Sequence, residues 1–417
     1  MPFDDVAAKA LLIFILTYGG IALGRFPRLV IDRTGIALVG AIAMVLSGVL
    51  TLDDAFASIH VGTLLLLYGL MIISVQLRLG GFYTWTAMRI AKSPTSPAFF
   101  LALLMVCSAV FSSVLANDIV CLAFTPVLAV ALPRRGYRPM PFLIGLAMAT
   151  NLGSAATLIG NPQSMLIAQT AGLSFGRFLL WCAPPSILSL AVTYLILLRL
   201  YRGNFLLDAP SQETAYDESW PPLNVWQSTK GLVAVAVVLV LFFTPVPREL
   251  SVMAVAGVLL ISRHMHTRRV LELVDWHLIT MFCGLFVVVA GFNLSGVPDM
   301  LLKRLSAYGL SLENPYFLAV TSGVLSNIVS NVPAATLLLP HLPADSTTLH
   351  YTLSLATTYA GNLLTIGSIA NLIVIEQARL RGVTIRFRDY AYAGVPVTLA
   401  TFAILLVWIR FCTCMGW

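Results

Sequence analysis

SSVLANDIVCLAFTPV, residues 112–127, sets an asparagine and an aspartate in the middle of an otherwise apolar run. A second stretch, GVLSNIVSNVPAATLLLP at 323–340, repeats the arrangement with asparagines and no acid. Each is followed by an apolar segment carrying Gly, Asn and Thr: NLGSAATLIGNPQSMLIA at 151–168 and GNLLTIGSIANLIVIEQ at 361–377. Polar side chains and Gly/Pro breaks are costly in hydrocarbon unless they line a protected cavity. One such pair in each half of a chain points to the binding region of a secondary transporter.

Composition sets the class outside those stretches. The chain is 59% AVILMFWYC and 10% charged, with a mean hydropathy of +0.90; a soluble domain carries about 25% charge. The reading is an all-α polytopic membrane protein embedded in a lipid bilayer. MPFDDVAAK at the start lacks a basic region and a small-residue cleavage site, so no removed signal peptide is expected. The six cysteines are scattered through apolar runs without zinc or redox spacing and read as small packing residues. No metal site and no cofactor are expected.

Apolar runs of about 20 residues mark spans, placed near 8–24, 34–50, 59–77, 141–170, 177–200, 231–246, 250–262, 277–294, 350–373 and 392–413. The segments 97–132 and 314–340 each carry a polar break near the middle and read as helical hairpins, with a pair of full spans as the alternative. The expected organisation is an N-terminal transmembrane helix (1–30), a first repeat (31–202, hairpin 97–132, broken helix 141–170), a cytoplasmic linker (203–229) and a second repeat (230–417, hairpin 314–340, broken helix 350–373). The linker holds Asp, Glu, Pro and Ser and no phosphate-binding motif, so the chain itself is not expected to hydrolyse ATP.

Starting the chain outside puts most of the 25 Lys and Arg on the cytoplasmic side, among them Arg33, Arg78, Arg134, Arg135 and Arg386. The outer side keeps Lys9, Arg177, Arg248, Lys303, Arg304 and Arg410. This is the positive-inside pattern of a bacterial-type inner membrane protein with both termini outside. It accounts for the net charge of +7 without a nucleic-acid partner. The basic run His264-Met265-His266-Thr267-Arg268-Arg269 reads as one more cytoplasmic loop. Residues 59–81 align with 274–296, Gly69 on Gly284 and Gly81 on Gly296. Asn117 then pairs with Asn327, Gly153 with Gly361 and Thr157 with Thr365. With the first unit starting inside and the second outside, the repeats are inverted.

Asp118 is the acidic residue set well inside a long apolar segment. Burial disfavours the charged form of a carboxyl, and a carboxyl so tuned can take a proton on one side and release it on the other. Asp118 is the candidate proton-coupling group; a helix cap is the structural alternative, compatible with it. Asn117, Asn151, Asn161, Ser326, Asn327, Asn331, Asn362 and Ser368 supply neutral donors and acceptors, and Thr157 and Thr365 add hydroxyls. Gly160-Asn161-Pro162 should break its helix, because proline removes a donor and restricts the preceding residue. Freed backbone groups there suit an oxygen-rich solute; polar glue between helices is the bland alternative.

The patterns ANDxxxLxFTP (Ala116–Pro126), NxGxxxTxIGNPQ (Asn151–Gln163) and SNxxSNVPAxxLL (Ser326–Leu338) resemble the ion-transporter superfamily, which holds ArsB-type arsenite permeases, NhaD-type sodium/proton antiporters and divalent-anion/sodium symporters. The resemblance spans about 30–410. It implies inverted repeats with re-entrant hairpins, an elevator-type cycle, and a substrate enclosed by the hairpin tips and broken helices. It also implies a homodimer as a common assembly and a separate ATPase subunit as a partner that some ArsB-type relatives use. The divalent-anion symporters carry Ser-Asn-Thr at each tip; here the tips are Ala-Asn-Asp and Ser-Asn-Ile, the first similar to ArsB-type permeases. Arsenite at neutral pH is mainly an uncharged trihydroxide that needs amide and hydroxyl partners. The function expected is proton-coupled efflux of arsenite and antimonite. The alternatives are an inorganic or organic anion transporter and a sodium/proton antiporter. Soft thiolates bind trivalent arsenic, but Cys121, three residues after Asp118, is read as packing.

Overall fold

A computed structural model describes residues 5–23, 31–91, 96–207, 222–261 and 266–415. Among these residues the fold is helical, with one isolated bridge between Tyr137 and Leu206. The first half runs α1 (Asp5–Leu23), α2 (Arg33–Leu46), α3 (Leu52–Ala57), α4 (Val61–Leu79), α5 (Phe82–Ala91), α6 (Pro97–Val114), α7 (Asn117–Arg134), α8 (Pro139–Ala155), α9 (Pro162–Thr170) and α10 (Phe175–Leu200). The second runs α11 (Val225–Leu241), α12 (Arg248–Leu260), α13 (Thr267–Glu272), α14 (Trp276–Leu294), α15 (Val297–Ala307), α16 (Pro315–Val329), α17 (Asn331–Leu338), α18 (Thr347–Ala360), α19 (Ile369–Arg379) and α20 (Phe387–Cys414). Seven of these helices are long and apolar enough to cross a membrane, and α2, α11 and α16 are shorter apolar helices.

The two halves repeat helix for helix, and their packing repeats with them. α2 packs on α14 as α12 packs on α4, and α6 packs on α8 as α16 packs on α18. α7 meets α19 as α17 meets α9, while α10 and α20 meet each other across the repeat. Glycines let the helices close. A Cβ on Gly153 would fall 2.3 Å from the Ala109 carbonyl oxygen, so α6 and α8 touch backbone to backbone. Small residues at helix contacts are how membrane helices gain packing when hydrocarbon surrounds them. The outer rows of α1 (Leu12, Ile15, Leu16) and α10 (Leu180, Ile187, Leu188, Leu195) stay exposed, as a lipid-facing surface requires.

The expected breaks form where the sequence places them. α8 ends at Ala155 and α9 starts at Pro162, with Asn161 capping it: the Ser164 N–H donates to Asn161 Oδ1 at 2.9 Å. α18 and α19 are likewise separated by 361–368, where Thr365–Gly367 form a single 3₁₀ turn. Both hairpins form, turning at Leu115-Ala116 and at Ser330. The arms of the first are long enough to span by length alone. Its tip nevertheless stops at the break, where Asn117 N–H donates to Gly160 O at 3.2 Å. The nine residues of α9, about 13 Å of helix, follow directly after that point.

Loops assigned to one face by charge meet each other. Arg138 N–H donates to Phe205 O, and Asn224 N–H to Gly80 O, both at 2.9 Å. Thr34 Oγ1 donates to His277 O at 3.3 Å. Residues 208–221, the middle of the expected linker, lie outside the described residues, as do Arg25, Arg28, Lys92 and His264; α11 already begins at Val225. The surface helices α3, α5, α13 and α15 were not anticipated from the sequence.

Candidate functional site

The polar residues singled out in the sequence gather at the two breaks and the two hairpin tips, in three connected clusters. Asn151 on α8 is the hub of the first. Its side chain is fully buried and makes four hydrogen bonds. Nδ2 donates to Asn362 Oδ1 (2.9 Å) and Asn371 Oδ1 (3.1 Å). Oδ1 accepts from Asn117 Nδ2 (3.2 Å) and from the Ser368 hydroxyl (3.0 Å). One amide thus joins the tip of the first hairpin to the break of the second half.

The second cluster sits at the other tip. The Asn331 amide nitrogen has three acceptors within reach of its two hydrogens, Thr357 O (2.9 Å), Gly367 O (2.8 Å) and Ser326 Oγ (2.6 Å), and the Ser326 hydroxyl donates to Thr357 O at 3.0 Å. Asn327 Nδ2 donates to Gly323 O and Ala360 O, each at 3.0 Å. Between α16 and α17, Ser330 holds φ 77 and ψ 164, a conformation that costs a non-glycine residue about 1–3 kcal/mol and is kept where surroundings enforce it. The geometry corrects one pairing of the repeat. Asn117 heads α7 and reaches Gly160; Asn331, not Asn327, heads α17 and reaches the equivalent Gly367. Val332 then stands where the first half has Asp118.

The third cluster joins α9 to α18. Asn161 Nδ2 donates to Ser154 Oγ (3.3 Å) and Thr358 Oγ1 (3.4 Å), Gln163 Nε2 to Thr358 Oγ1 (3.2 Å), and Ser164 and Ser354 share a hydrogen bond of 2.6 Å. Asn161 is therefore brought to the α9–α18 seam and not to the Asn151 hub. Thr157 is tied to the first hairpin through the Ser113 carbonyl. Thr365 is buried at the 3₁₀ turn. Two buried polar atoms here lack a partner, Asn362 Nδ2 and Asn327 Oδ1. A buried amide atom left unpaired costs about 1–3 kcal/mol, so both are places where a solute's oxygen or hydroxyl would be favourable.

Asp118 follows Asn117 at the first turn of α7, half-buried. Its backbone N–H donates to Asn117 Oδ1 at 3.0 Å, while its carboxylate has no hydrogen-bond or ion-pair partner among the described residues. Asp275 caps α14, accepting from Leu278 N–H at 3.0 Å, and lines a cavity of about 490 Å³ with Asp32, Arg33, Thr34 and His277 at its mouth and Ile366, Ile369 and Leu372 on the α19 side. Ile366 and Ile369 flank Gly367-Ser368, and the Ser368 hydroxyl reaches Asn151. Asp275 and Asn371 were missed in the sequence. Asp275 reads there as an ordinary helix cap, and Asn371 as one polar residue inside IANLIV. Among the described residues no cluster of three His, Cys, Asp or Glu side chains is placed to hold a metal ion. Cys121 is fully buried with Sγ 3.1 Å from Thr150 Oγ1, a packed position.

Apolar spans, broken helices and a buried amide network between two hairpin tips define a polytopic membrane transporter, not an enzyme. Residues 11–357 match the family described as CitMHS, citrate transporter, and the chain belongs to that family, within the ion-transporter superfamily that its motifs resemble. It is 30% identical over 96% of its length to a 46 kDa membrane protein of Mycobacterium leprae, covering 98% of that protein. It is 28% identical over 93% of its length to the silicon efflux transporter LSI3 of Oryza sativa subsp. japonica, covering 96% of it. Among solved structures, the YdaH transporter of Alcanivorax borkumensis superposes with a TM-score of 0.57 over 99% of both chains at 13% identity, a likeness of fold.

Proposed function

We propose that this chain exports a small, uncharged polyhydroxy solute, arsenite or antimonite, in exchange for protons, across a bacterial-type inner membrane with both termini outside. The observation that carries the reading is the chemistry of the clusters at the two breaks. Their hydrogen-bonding side chains are amides and hydroxyls, and the one acid beside them, Asp118, has an unpaired carboxylate. A neutral trihydroxide offers donors and acceptors that match Asn151, Asn362 and Ser368 with no counter-charge, and Asp118 supplies the group that a proton occupies in one half of the cycle. Asn117, Asn327, Asn331, Ser326, Thr157, Thr365 and Asn161 hold the tips and breaks around that solute. The rice relative is named for silicon efflux, and dissolved silicon at neutral pH is likewise an uncharged polyhydroxide. The inverted repeat, with a first unit of residues 31–202 and a second of 230–417, supports an elevator-like exchange of faces.

A second reading, transport of an organic anion, is favoured by the family's description as citrate transporters and by Arg33 at the cavity mouth. Flux into everted vesicles or proteoliposomes separates the two. Uptake of arsenite driven by an inside-acid gradient, with citrate inert, is the expected result. Citrate uptake that arsenite does not inhibit would overturn the first reading.

A further inference from the structure

Equivalent residues of the two halves lie at opposite ends of the helix bundle, and the two ends differ. At the end carrying Arg33, the cavity parts α19 from α1, α2 and α14. Ile366 is 37% exposed there, and Ile369 and Leu372 are half-buried. Their counterparts in the first half are closed over: Ile159 is 1% exposed, Met165 is 0% exposed and Pro162 is buried.

At that end Gln169 ties two helices together, with Glu249, at the base of an outer cavity of about 480 Å³. From the last turn of α9, its Nε2 donates to Glu249 Oε2 on the first turn of α12 at 2.9 Å. The same amide lies over Gly62 at the start of α4, where an added Cβ would fall 2.9 Å from it. The residues at the equivalent positions of the other half are Glu376, Thr34 and His277. Thr34 still donates to His277 O at 3.3 Å. Glu376 instead turns outward onto Arg379 at 2.8 Å, with both side chains more than half exposed. Gln169 thus joins its two matched positions at one end, while at the other Thr34 and His277 meet and Glu376 stands apart from them.

We propose that these two triads are alternate latches of the transport cycle. Gln169–Glu249 over Gly62 holds one face shut in the present state. When it releases, Glu376 leaves Arg379 and closes the opposite face by reaching the Thr34 hydroxyl and the His277 ring. Repeats of opposite orientation exchange conformations during alternating access, so a contact made by one repeat in one state is made by the other in the next. The direction of the equilibrium is set by which latch is stronger. The inference assumes a transporter with inverted repeats and no particular solute.

The test uses the full-length protein in liposomes with no solute added, so its outcome is independent of the arsenite reading. Thr63, 1% exposed, is the counterpart of the cavity-lining Leu278 and reports opening of the shut face. In a background with the native cysteines replaced, Gln169→Ala or Glu249→Ala should raise maleimide labelling of a Thr63→Cys reporter about fivefold, the factor for one net hydrogen bond. Unchanged labelling in both variants overturns the first latch. With the native cysteines kept, oxidation should cross-link a Thr34→Cys/Glu376→Cys pair. No cross-link there, in protein whose Gln169→Cys/Glu249→Cys pair does cross-link, overturns the second latch. This arm does not depend on the cysteine-replaced background folding.

Discussion

Replacing Asn151 with alanine removes four hydrogen bonds at once, to Asn117 on α7, to Asn362 and Ser368 in the break between α18 and α19, and to Asn371 on α19. Hydrogen bonds between membrane helices average about 0.6 kcal/mol in double-mutant cycles, and net values in soluble proteins are about 1 kcal/mol. Four of them place the loss at about 2–4 kcal/mol, before counting the cost of stranding Asn362, whose Nδ2 already lacks a partner. The control is Thr336→Ala, because the buried Thr336 hydroxyl donates only within its own helix, to Val332 O at 2.9 Å. Thermal unfolding of the purified protein in detergent should show a clearly lower midpoint for Asn151→Ala than for Thr336→Ala, and proteoliposomes should show loss of flux for Asn151→Ala alone. Asn151→Asp keeps the two acceptor contacts but sets a buried carboxylate oxygen against Asn362 Oδ1 and Asn371 Oδ1, so its midpoint should fall at least as far as that of the alanine variant. A parent-like midpoint and flux in Asn151→Ala would refute the hub assignment.

Asp118→Asn should abolish accumulation driven by a pH gradient while leaving solute counterflow and the unfolding midpoint near those of the parent; full coupling in that variant would remove Asp118 from the mechanism. Gly153→Ala should destabilise the protein by at least the cost of overpacking, about 1–3 kcal/mol, because the new Cβ would stand 2.3 Å from the Ala109 carbonyl oxygen; a soluble yield and midpoint like the parent's would contradict that close approach. Cys121→Ser should keep most of the flux, read in the same liposomes, since the thiol is packed against Thr150; complete loss would return the thiolate to the list of solute ligands.

The breaks were legible because their causes are local. Gly160-Asn161-Pro162 ends one helix and caps the next by backbone chemistry that needs no partner, and Ala-Asn-Asp is polar enough to stand out in apolar surroundings. The surface helices α3, α5, α13 and α15 were hidden for the opposite reason. They are 6 to 11 residues long, too short for a hydropathy window tuned to spans. Asp275 was hidden by position. At the edge of an apolar run a carboxylate reads as a cap, which it is, and only the tertiary fold brings the start of α14 into the wall of the cavity. The pairing of Asn117 went astray because 326–331 holds two asparagines, and sequence alone does not say which one heads the second arm.

That corrected pairing sharpens the meaning of the single carboxylate. Asn117 and Asn331 each tie a hairpin tip to the break of its own half, Asn117 by its backbone N–H on Gly160 O and Asn331 by its side-chain amide on Gly367 O. The repeat therefore keeps the amide at the head of the second arm in both copies, while the next position is Asp118 in one and Val332 in the other. A carboxylate needed to cap the arm would be wanted twice, since both arms start in the same surroundings. α17 starts without it, and α7 starts after Ala116 with no side-chain cap, the Asp118 N–H being taken by Asn117 Oδ1. With no hydrogen-bond or ion-pair partner among the described residues, and no acid at the matching position of the other half, the Asp118 carboxylate is the group on which the proposed proton coupling rests.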